Sequence, residues 1–479
     1  MIVWVLKYDT CFDWITSLGG RIESPIYQVF IRPFGKPVIV LTDPREIEDI
    51  LLHRTREFDR ANHTSDIFVG TIPNHHIVQP TNDRFRTQRK LLAGTMRNEF
   101  LKNVAARHIY VNALRLVEFW RIKSVLAPGC SFEVADDLTE SALDSIWAVT
   151  FGTDVNTIQS RIDHLQNAPP SLSLTKVGAV VFPKAKLPDE VQSVLHLCDG
   201  IGFAMNSIHP RLGHWLYRQT RSYKSAVACK DRMIMEALND AQNRLEAAKP
   251  TGESPPMLSA IDYLVQQENL SACKDGRRPI FDSAVNRDEL FGFLIGGHDT
   301  TSTTLMWSLK MLSDNPRVQT KLRKVIQEVF PDMVDTNFVP HHEQIAASRI
   351  PFLDATIQEI LRLALTQPGA IREAKVDTAI LGLPVPKGTN VFLMSNGNGY
   401  VAPDRFVDQI LEESRSRTCV NSRGKRGCWG NDAECFIPER WIKLEEGIEI
   451  YDSKAGPIQA FGGGVRGQYN YSLGDFEVC

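Results

Sequence analysis

Apolar and polar positions alternate along residues 27–42, on either side of Phe34-Gly35-Lys36-Pro37. A period of two predicts a pair of strands joined as a β-hairpin. Asp43-Pro44-Arg45-Glu46 follows at once. An aspartate cap, a proline at the first helical position and an acid at the third predict a helix start, with Ile47, Ile50 and Leu51 turned inward. From about 83 to 250 the spacing is mostly helical, broken by a proline-containing stretch around 169–188. Residues 286–313 predict one long apolar helix, and further helices are expected near 315–330 and 351–365. Short strands are expected within 371–393, with Gly382, Pro384, Pro386 and Gly388 as turns. The remainder is loop-rich, so the fold class is mainly α with small β-sheets.

The chain has 479 residues, of which 43% are hydrophobic, enough for a large core. Neither a Gly/Ser-rich linker nor a repeat divides it, so one large domain is the simpler expectation. A formal charge of −3 with both signs mixed argues against a nucleic-acid partner. Nine cysteines are scattered without a Cys-x-x-Cys pair. They read as reduced thiols, mostly small apolar packers, rather than as a disulfide framework or a zinc site. The apolar run Met1–Leu6 meets Lys7 and Asp9 and falls far short of the ~20 residues of a spanning helix.

Inside the long helix lies Gly296-Gly297-His298-Asp299-Thr300-Thr301. Two glycines in a helix interior cost on the order of 2 kcal/mol against alanine, so the segment needs a reason. Local widening of the helix is one, because widened turns mark functional sites. A hydroxyl beside a carboxylate in an apolar wall, Thr300 beside Asp299, suits proton delivery to a bound oxygen species. Close packing on a neighbouring helix is the alternative. Glu359 and Arg362 stand three apart on one helical face and can pair, in an apolar setting that predicts burial. Arg440, in Phe436-Ile437-Pro438-Glu439-Arg440-Trp441, is a third candidate. Arg89, Arg372 and Arg466 offer guanidinium forks suited to carboxylates. Gly462–Gly467 also satisfies Gly-x-Gly-x-x-Gly, but a dinucleotide site needs a strand before it, a helix after it and a later acid. That reading is rejected. His341-His342-Glu343 is read as a loop and not as a metal motif. The basic run Arg415, Arg417, Arg423, Lys425, Arg426 is read as a solvated loop.

Phe461-Gly462-Gly463-Gly464-Val465-Arg466-Gly467 resembles the haem-binding loop of the cytochrome P450 family, Phe-x-x-Gly-x-Arg-x-Cys. The other motifs follow that family's order. Gly296–Thr301 resembles its proton-relay helix, with Asp299 and Thr300 as acid and alcohol. Glu359, Arg362 and Arg440 match its Glu-Arg-Arg triad, which locks the core beneath the haem. Phe85-Arg86-Thr87-Gln88-Arg89 resembles its Trp-x-x-x-Arg helix, and Arg89, Arg372 and Arg466 then face haem propionates. The style of the Gly-His-Asp-Thr-Thr and Pro-Glu-Arg-Trp stretches is similar to fungal members.

The resemblance implies the P450 fold over residues 1–467, with haem (iron protoporphyrin) as cofactor and electrons from NADPH through a partner reductase. It implies insertion of one oxygen atom from dioxygen into a small apolar substrate, a secondary metabolite or a fatty-acyl compound. Thr71–Gln79 and about Leu172–His209 would line the substrate pocket. The family implies the cytosolic face of the endoplasmic reticulum, with peripheral membrane contact here because no transmembrane anchor is expected in this chain. No metal-ligating residue is assigned, because Gln468 stands where the family's thiolate cysteine would be. Residues 468–479 are expected to be an atypical tail from read-through or a misplaced splice junction, lacking the family's C-terminal part, which the 3′ end of the transcript reads directly. The alternative is a non-catalytic relative that binds an apolar ligand.

Overall fold

The computed structural model describes residues 11–31, 35–167, 172–176, 178–207, 209–248, 255–335, 338–403, 410, 412–421 and 427–467. Backbone contacts divide them into two compact units. The first takes in residues up to Thr64, Trp307–Val339 and the described chain from Ser348 onward; the second is Ser65–Met306 with Pro340–Ala347. The chain is mainly helical with small sheets, as the pattern of apolar positions requires.

A five-stranded sheet organises the first unit. Ile26–Val29 pairs antiparallel with Val38–Leu41, Tyr27 opposite Val40, so the expected hairpin forms; Phe34 at its tip lies outside the described residues. Val38–Leu41 runs parallel to Asn390–Met394, which pairs antiparallel with Gly369–Ala374, and Phe58–Arg60 closes the far edge. Asn390–Met394 is central because Val391-Phe392-Leu393-Met394 is a continuous apolar run, buried throughout. The helix Pro44–Leu52 starts as its sequence dictates: the Asp43 carboxylate accepts the Glu46 amide at 2.8 Å, and Ile47, Ile50 and Leu51 are buried. Gly382 and Gly388 turn the chain at φ +76° and +83°. Pro384 was expected in a turn but sits in the strand Leu383–Val385. Among the described residues that strand pairs only with Thr378–Ile380, so an edge is available where a missing N–H costs nothing.

Arg415 corrects the solvated-loop expectation for the basic run. Its side chain is 1% exposed and forks onto Asp43 at 2.7 and 3.0 Å. Burial opposes its charge, yet the Asp43 carboxylate holds it above its ordinary value. Arg417 is exposed on the short helix Arg417–Asn421, and Arg423, Lys425 and Arg426 lie outside the described residues.

The second unit is a helical body. Asn98–Phe100 leads through one π-helical stretch into Ala106–Leu126, followed by Ala135–Phe151, Thr157–Asn167, Asp189–Asn206, Pro210–Tyr217, Arg221–Ala248 and Ala260–Lys274. Leu143, Leu197, Ile234, Leu264, Leu290 and Phe291 form its core. Asp144 ties two of these helices by accepting the Thr157 and Ile158 amides, where the N-terminal N–H groups want an acceptor. The proline-containing stretch breaks the helices as expected and leaves the two-residue strands Ser173–Leu174 and Val180–Val181. The long helix runs from Ala284 to Asp314, its last residues from Trp307 falling in the first unit.

Among the described residues no helix is long and apolar enough to cross a membrane. Seven described cysteines are free thiols, in line with the absence of a disulfide framework. The expectation that most are buried packers fails: Cys229 and Cys419 are buried, whereas Cys130, Cys273, Cys428 and Cys435 are exposed.

Candidate functional site

Glu359 sits in the helix Pro351–Ala364 with no exposure. Five donors converge on its carboxylate. Arg362 Nε and Nη2 each lie at 2.8 Å, Arg440 Nε at 3.0 Å, Trp441 Nε1 at 2.8 Å and the Ile437 amide at 3.0 Å. Arg362 also reaches the carbonyls of Tyr400 (2.7 Å), Ala433 (2.6 Å) and Cys435 (3.3 Å). One i,i+3 pair thus gathers the irregular chain around Tyr400 and around Ala433–Ile437. Arg440 also reaches Asp432 and, like Arg362, lies over the Trp429 ring. These three residues bond to one another and to backbone, an arrangement that holds a shape.

The glycine loop packs on the C-terminal end of the helix Pro44–Leu52. Gly464 has φ +62°, and a Cβ there would lie 2.0 Å from the Leu51 carbonyl oxygen. A Cβ on Gly463 would lie 3.2 Å from the Leu51 side chain, a milder contact. Close approach of backbone to backbone is the reason for Gly464. The loop is preceded by irregular chain and closes in a single 3₁₀ turn, Gly464–Arg466, which is not the strand–loop–helix of a dinucleotide site. Phe461 is half-buried at its start.

Arg466 points from this loop toward Asp59, at 3.5 Å, with its side chain 3% exposed. Arg372, on the strand Gly369–Ala374 and paired in register with Arg60, is buried beside it. Burial, and then the neighbouring Arg466 guanidinium, pull Arg372 down to about 10, with Asp59 opposing. Two buried cations close together are costly unless further negative charge is available. Carboxylates of a bound group fit that arrangement, and guanidinium forks suit them. Gln468 lies outside the described residues.

Arg89, Asp299 and Thr300 belong to the second unit. Arg89 lies in the last turn of the helix Asp83–Lys90, 5.9 Å over the ring of the buried Phe85. Asp299 and Thr300 are exposed on the long helix. The expected widening is absent, and the helix is regular α through Gly296–Thr301. Its hydroxyls are absorbed by its own turns: Thr300 Oγ1 donates to Gly296 O (2.7 Å), Ser302 and Thr303 to Asp299 O, and Thr304 to Thr300 O. Gly297 is explained by packing, since a Cβ would fall 2.4 Å from Ile146, whereas Gly296 meets nothing within 4 Å. Burial lowers His298 and keeps its imidazole neutral.

His341 and His342 lie against Tyr110, and His342 opens the short helix His342–Ala347 where a loop was expected. A different cluster escaped sequence reasoning. His76 Nδ1 lies 2.7 Å and His75 Nε2 3.5 Å from the Glu289 carboxylate. The residues are 213 apart in sequence, and no local pattern links them. Only the adjacent Asp288-Glu289 at the start of an apolar helix hinted at a partner.

A sequence profile described as Cytochrome P450 matches residues 15–400. The cytochrome P450 monooxygenase TRI13 of Fusarium sporotrichioides is 34% identical over 97% of this chain and 82% of its own length. The cytochrome P450 monooxygenase GME11363 of Pestalotiopsis microspora is 34% identical over 100% of this chain and 83% of its own. The cytochrome P450 monooxygenase xilC of Penicillium rubens is 33% identical over 97% and 80%. The fold is similar to that of a crystal structure of the cytochrome P450DA heme domain, with a TM-score of 0.64 at 18% identity, covering 96% of this chain and 83% of that one.

Gly464→Ala should displace the glycine loop from Leu51. The positive φ alone costs about 1–3 kcal/mol, and the overlap with the Leu51 carbonyl adds to it. A urea unfolding series should show a clear loss of stability for Gly464→Ala and no loss, or a small gain, for Gly296→Ala, whose added methyl meets open space in a regular helix. Equal losses would contradict the packing described.

Proposed function

Because the chain belongs to the cytochrome P450 family, a family of oxidoreductases, we propose that it serves haem-dependent insertion of one oxygen atom from dioxygen into a small apolar substrate. A secondary metabolite or a fatty-acyl compound is the substrate class, given the fungal relatives. The observation that carries the reading is the buried Arg372–Arg466 pair beside Asp59, a cationic site suited to the carboxylates of a haem. Arg89 takes the same role by resemblance, and Glu359, Arg362 and Arg440 hold the surrounding chain. Phe461 and Gly464 shape the loop. Haem, where bound, supplies activation of dioxygen.

The chain's own contribution to chemistry is proton management. Asp299 presents a carboxylate at the exposed side of an apolar helix, and the Thr300 hydroxyl next to it already donates its proton to Gly296 O. Its free lone pairs can then accept from an incoming donor, so the pair can orient a proton without a base of unusual strength. Electrons would come from NADPH through a partner reductase at the cytosolic face of the endoplasmic reticulum. Peripheral membrane contact has a candidate in the helix Pro210–Tyr217, which exposes Leu212, Trp215 and Leu216 beside Arg211 and Arg218. Flotation with anionic vesicles should carry the wild-type chain, and Trp215→Ser with Leu216→Ser should weaken it. We read residues 1–467 as one P450 domain and 468–479 as a tail.

One part of the donor set does not fit. Gln468 follows Gly467, and a neutral amide does not replace the thiolate whose electron density favours O–O cleavage. That residue favours a second reading for the polypeptide as it stands, a non-catalytic binder of an apolar ligand. The absorption spectrum of the purified, dithionite-reduced chain under carbon monoxide separates the two. A strongly red-shifted Soret band means thiolate ligation and supports the oxygenase. No haem, or an unshifted band, refutes oxygenase activity for this polypeptide.

A further inference from the structure

Glu289 is the most enclosed acid of the long helix, 1% exposed. Both oxygens are engaged by one short stretch of chain. Oε1 accepts the His76 amide at 2.6 Å; Oε2 meets His76 Nδ1 at 2.7 Å and His75 Nε2 at 3.5 Å. Asp288 accepts the Asn74 amide at 2.7 Å and its side-chain Nδ2 at 3.0 Å. Gly292, one turn on, provides the seat: a Cβ there would fall 2.3 Å from the His75 ring. The stretch Thr71–Gln79 has no strand and only a three-residue 3₁₀ turn, so its position rests on these contacts and on Gln88 Nε2, which donates to Asn74 O at 2.7 Å. A cavity of about 430 Å³ lies beside it, lined by Thr71, Asn74, Arg218, Tyr223 and Lys224 among others.

The same three side chains are close enough to be considered for a cation. The proton count argues against it. His75 Nδ1 accepts the Ile77 amide at 3.0 Å, so a neutral ring carries its proton on Nε2, and the nitrogen facing Glu289 is a donor and not a ligand.

We propose that Glu289 is a positioning residue which, through His75 and His76, latches the loop Thr71–Gln79 onto the long helix, and that the proton shared in this cluster sets how often the loop opens. Its bearing on substrate entry rests on the proposed function, in which this loop lines the substrate pocket. Opening takes Glu289 from a dry site to water. Burial raises its carboxyl from 4.5 to about 7, against the pull of His75 and the His76 amide, with Asp288 adding to the rise. A carboxyl raised in the closed form supports closure fully below its open value, and that support is lost as pH rises through about 7. The loop therefore opens more at alkaline pH.

Other charged groups face the cluster. Lys230 and Asp231, from Arg221–Ala248, stand by Asp288 (Lys230 at 3.7 Å). Arg287 is tied to Asp282. Tyr223 donates to Gly70 O, and burial raises its hydroxyl further above the working range. His214, from Pro210–Tyr217, lies 2.6 Å from Ile67 O and is lowered by burial, so its contribution fades as pH falls, with the opposite sign. A variant that changes Glu289 and keeps His214 separates the two.

The test is hydrogen exchange of the full chain, read on residues 71–79 and corrected for intrinsic exchange. Protection in the wild type should fall roughly thirty-fold between pH 5.5 and 8, the factor linkage gives for a carboxyl moving from 4.5 to about 7. Glu289→Gln keeps the shape without the titration, and should hold the loop closed with no such slope. If that variant does not fold, Gly292→Ala should evict His75 and leave residues 71–79 unprotected at both pH values while the long helix stays protected. A wild type without a slope, the same slope in Glu289→Gln, or wild-type protection in Gly292→Ala would overturn the proposal. Exchange needs neither haem nor substrate, so its failure is distinct from failure of the oxygenase reading.

Discussion

The first unit depends on one buried carboxylate. Glu359 accepts from Arg362, Arg440, Trp441 and the Ile437 backbone, and Arg362 spends its remaining donors on carbonyls of Tyr400, Ala433 and Cys435. Burying such a pair yields little net stability, because desolvation offsets the attraction. Breaking it is another matter, since a lone buried charge costs about 3–5 kcal/mol. The network therefore selects one arrangement among many for a loop-rich stretch that hydrophobic contacts alone would leave under-determined. Trp429 and Trp441, packed at 4.7 Å, fill the space beneath it.

From that anchored stretch the chain reaches the glycine loop, which rests on Leu51, while Arg466 meets Asp59 at the sheet edge. The sheet in turn supplies Arg372. Charge is concentrated where shape is fixed, which is what recognition of a carboxylated cofactor requires. The second unit solves a different problem. Its long helix tolerates Thr300, Ser302, Thr303 and Thr304 because each hydroxyl bonds back to the preceding turn, leaving the axis regular. These hydroxyls close on their own helix, whereas the acids Asp288 and Glu289 bind the loop ahead of them in sequence.

Much of the fold was legible locally. The period-two run before Asp43, the Asp-Pro-x-Glu start and the proline-led helices at 316 and 351 carry their instructions within a few residues. The Glu359–Arg362 spacing was legible as a pair, whereas its meaning came from partners far along the chain. Arg415 was misread because its partner, Asp43, lies 372 residues away. Gly297 was read for function with close packing as the alternative, and its approach to Ile146 is such packing, although no single segment names that partner. The Glu289 cluster was missed for the same reason. Local chemistry is written in the sequence, and pairing across the fold is not.

The account turns on Glu359 as the point that orders residues 397–403 and 427–441, and backbone amide exchange in Glu359→Gln measures this most directly. Protection should be lost across Tyr400, Ala433–Ile437 and Trp441 together, while the central strands Val38–Leu41 and Asn390–Met394 keep theirs. Loss confined to the helix Pro351–Ala364, or wild-type protection throughout 397–403 and 427–441, would contradict it.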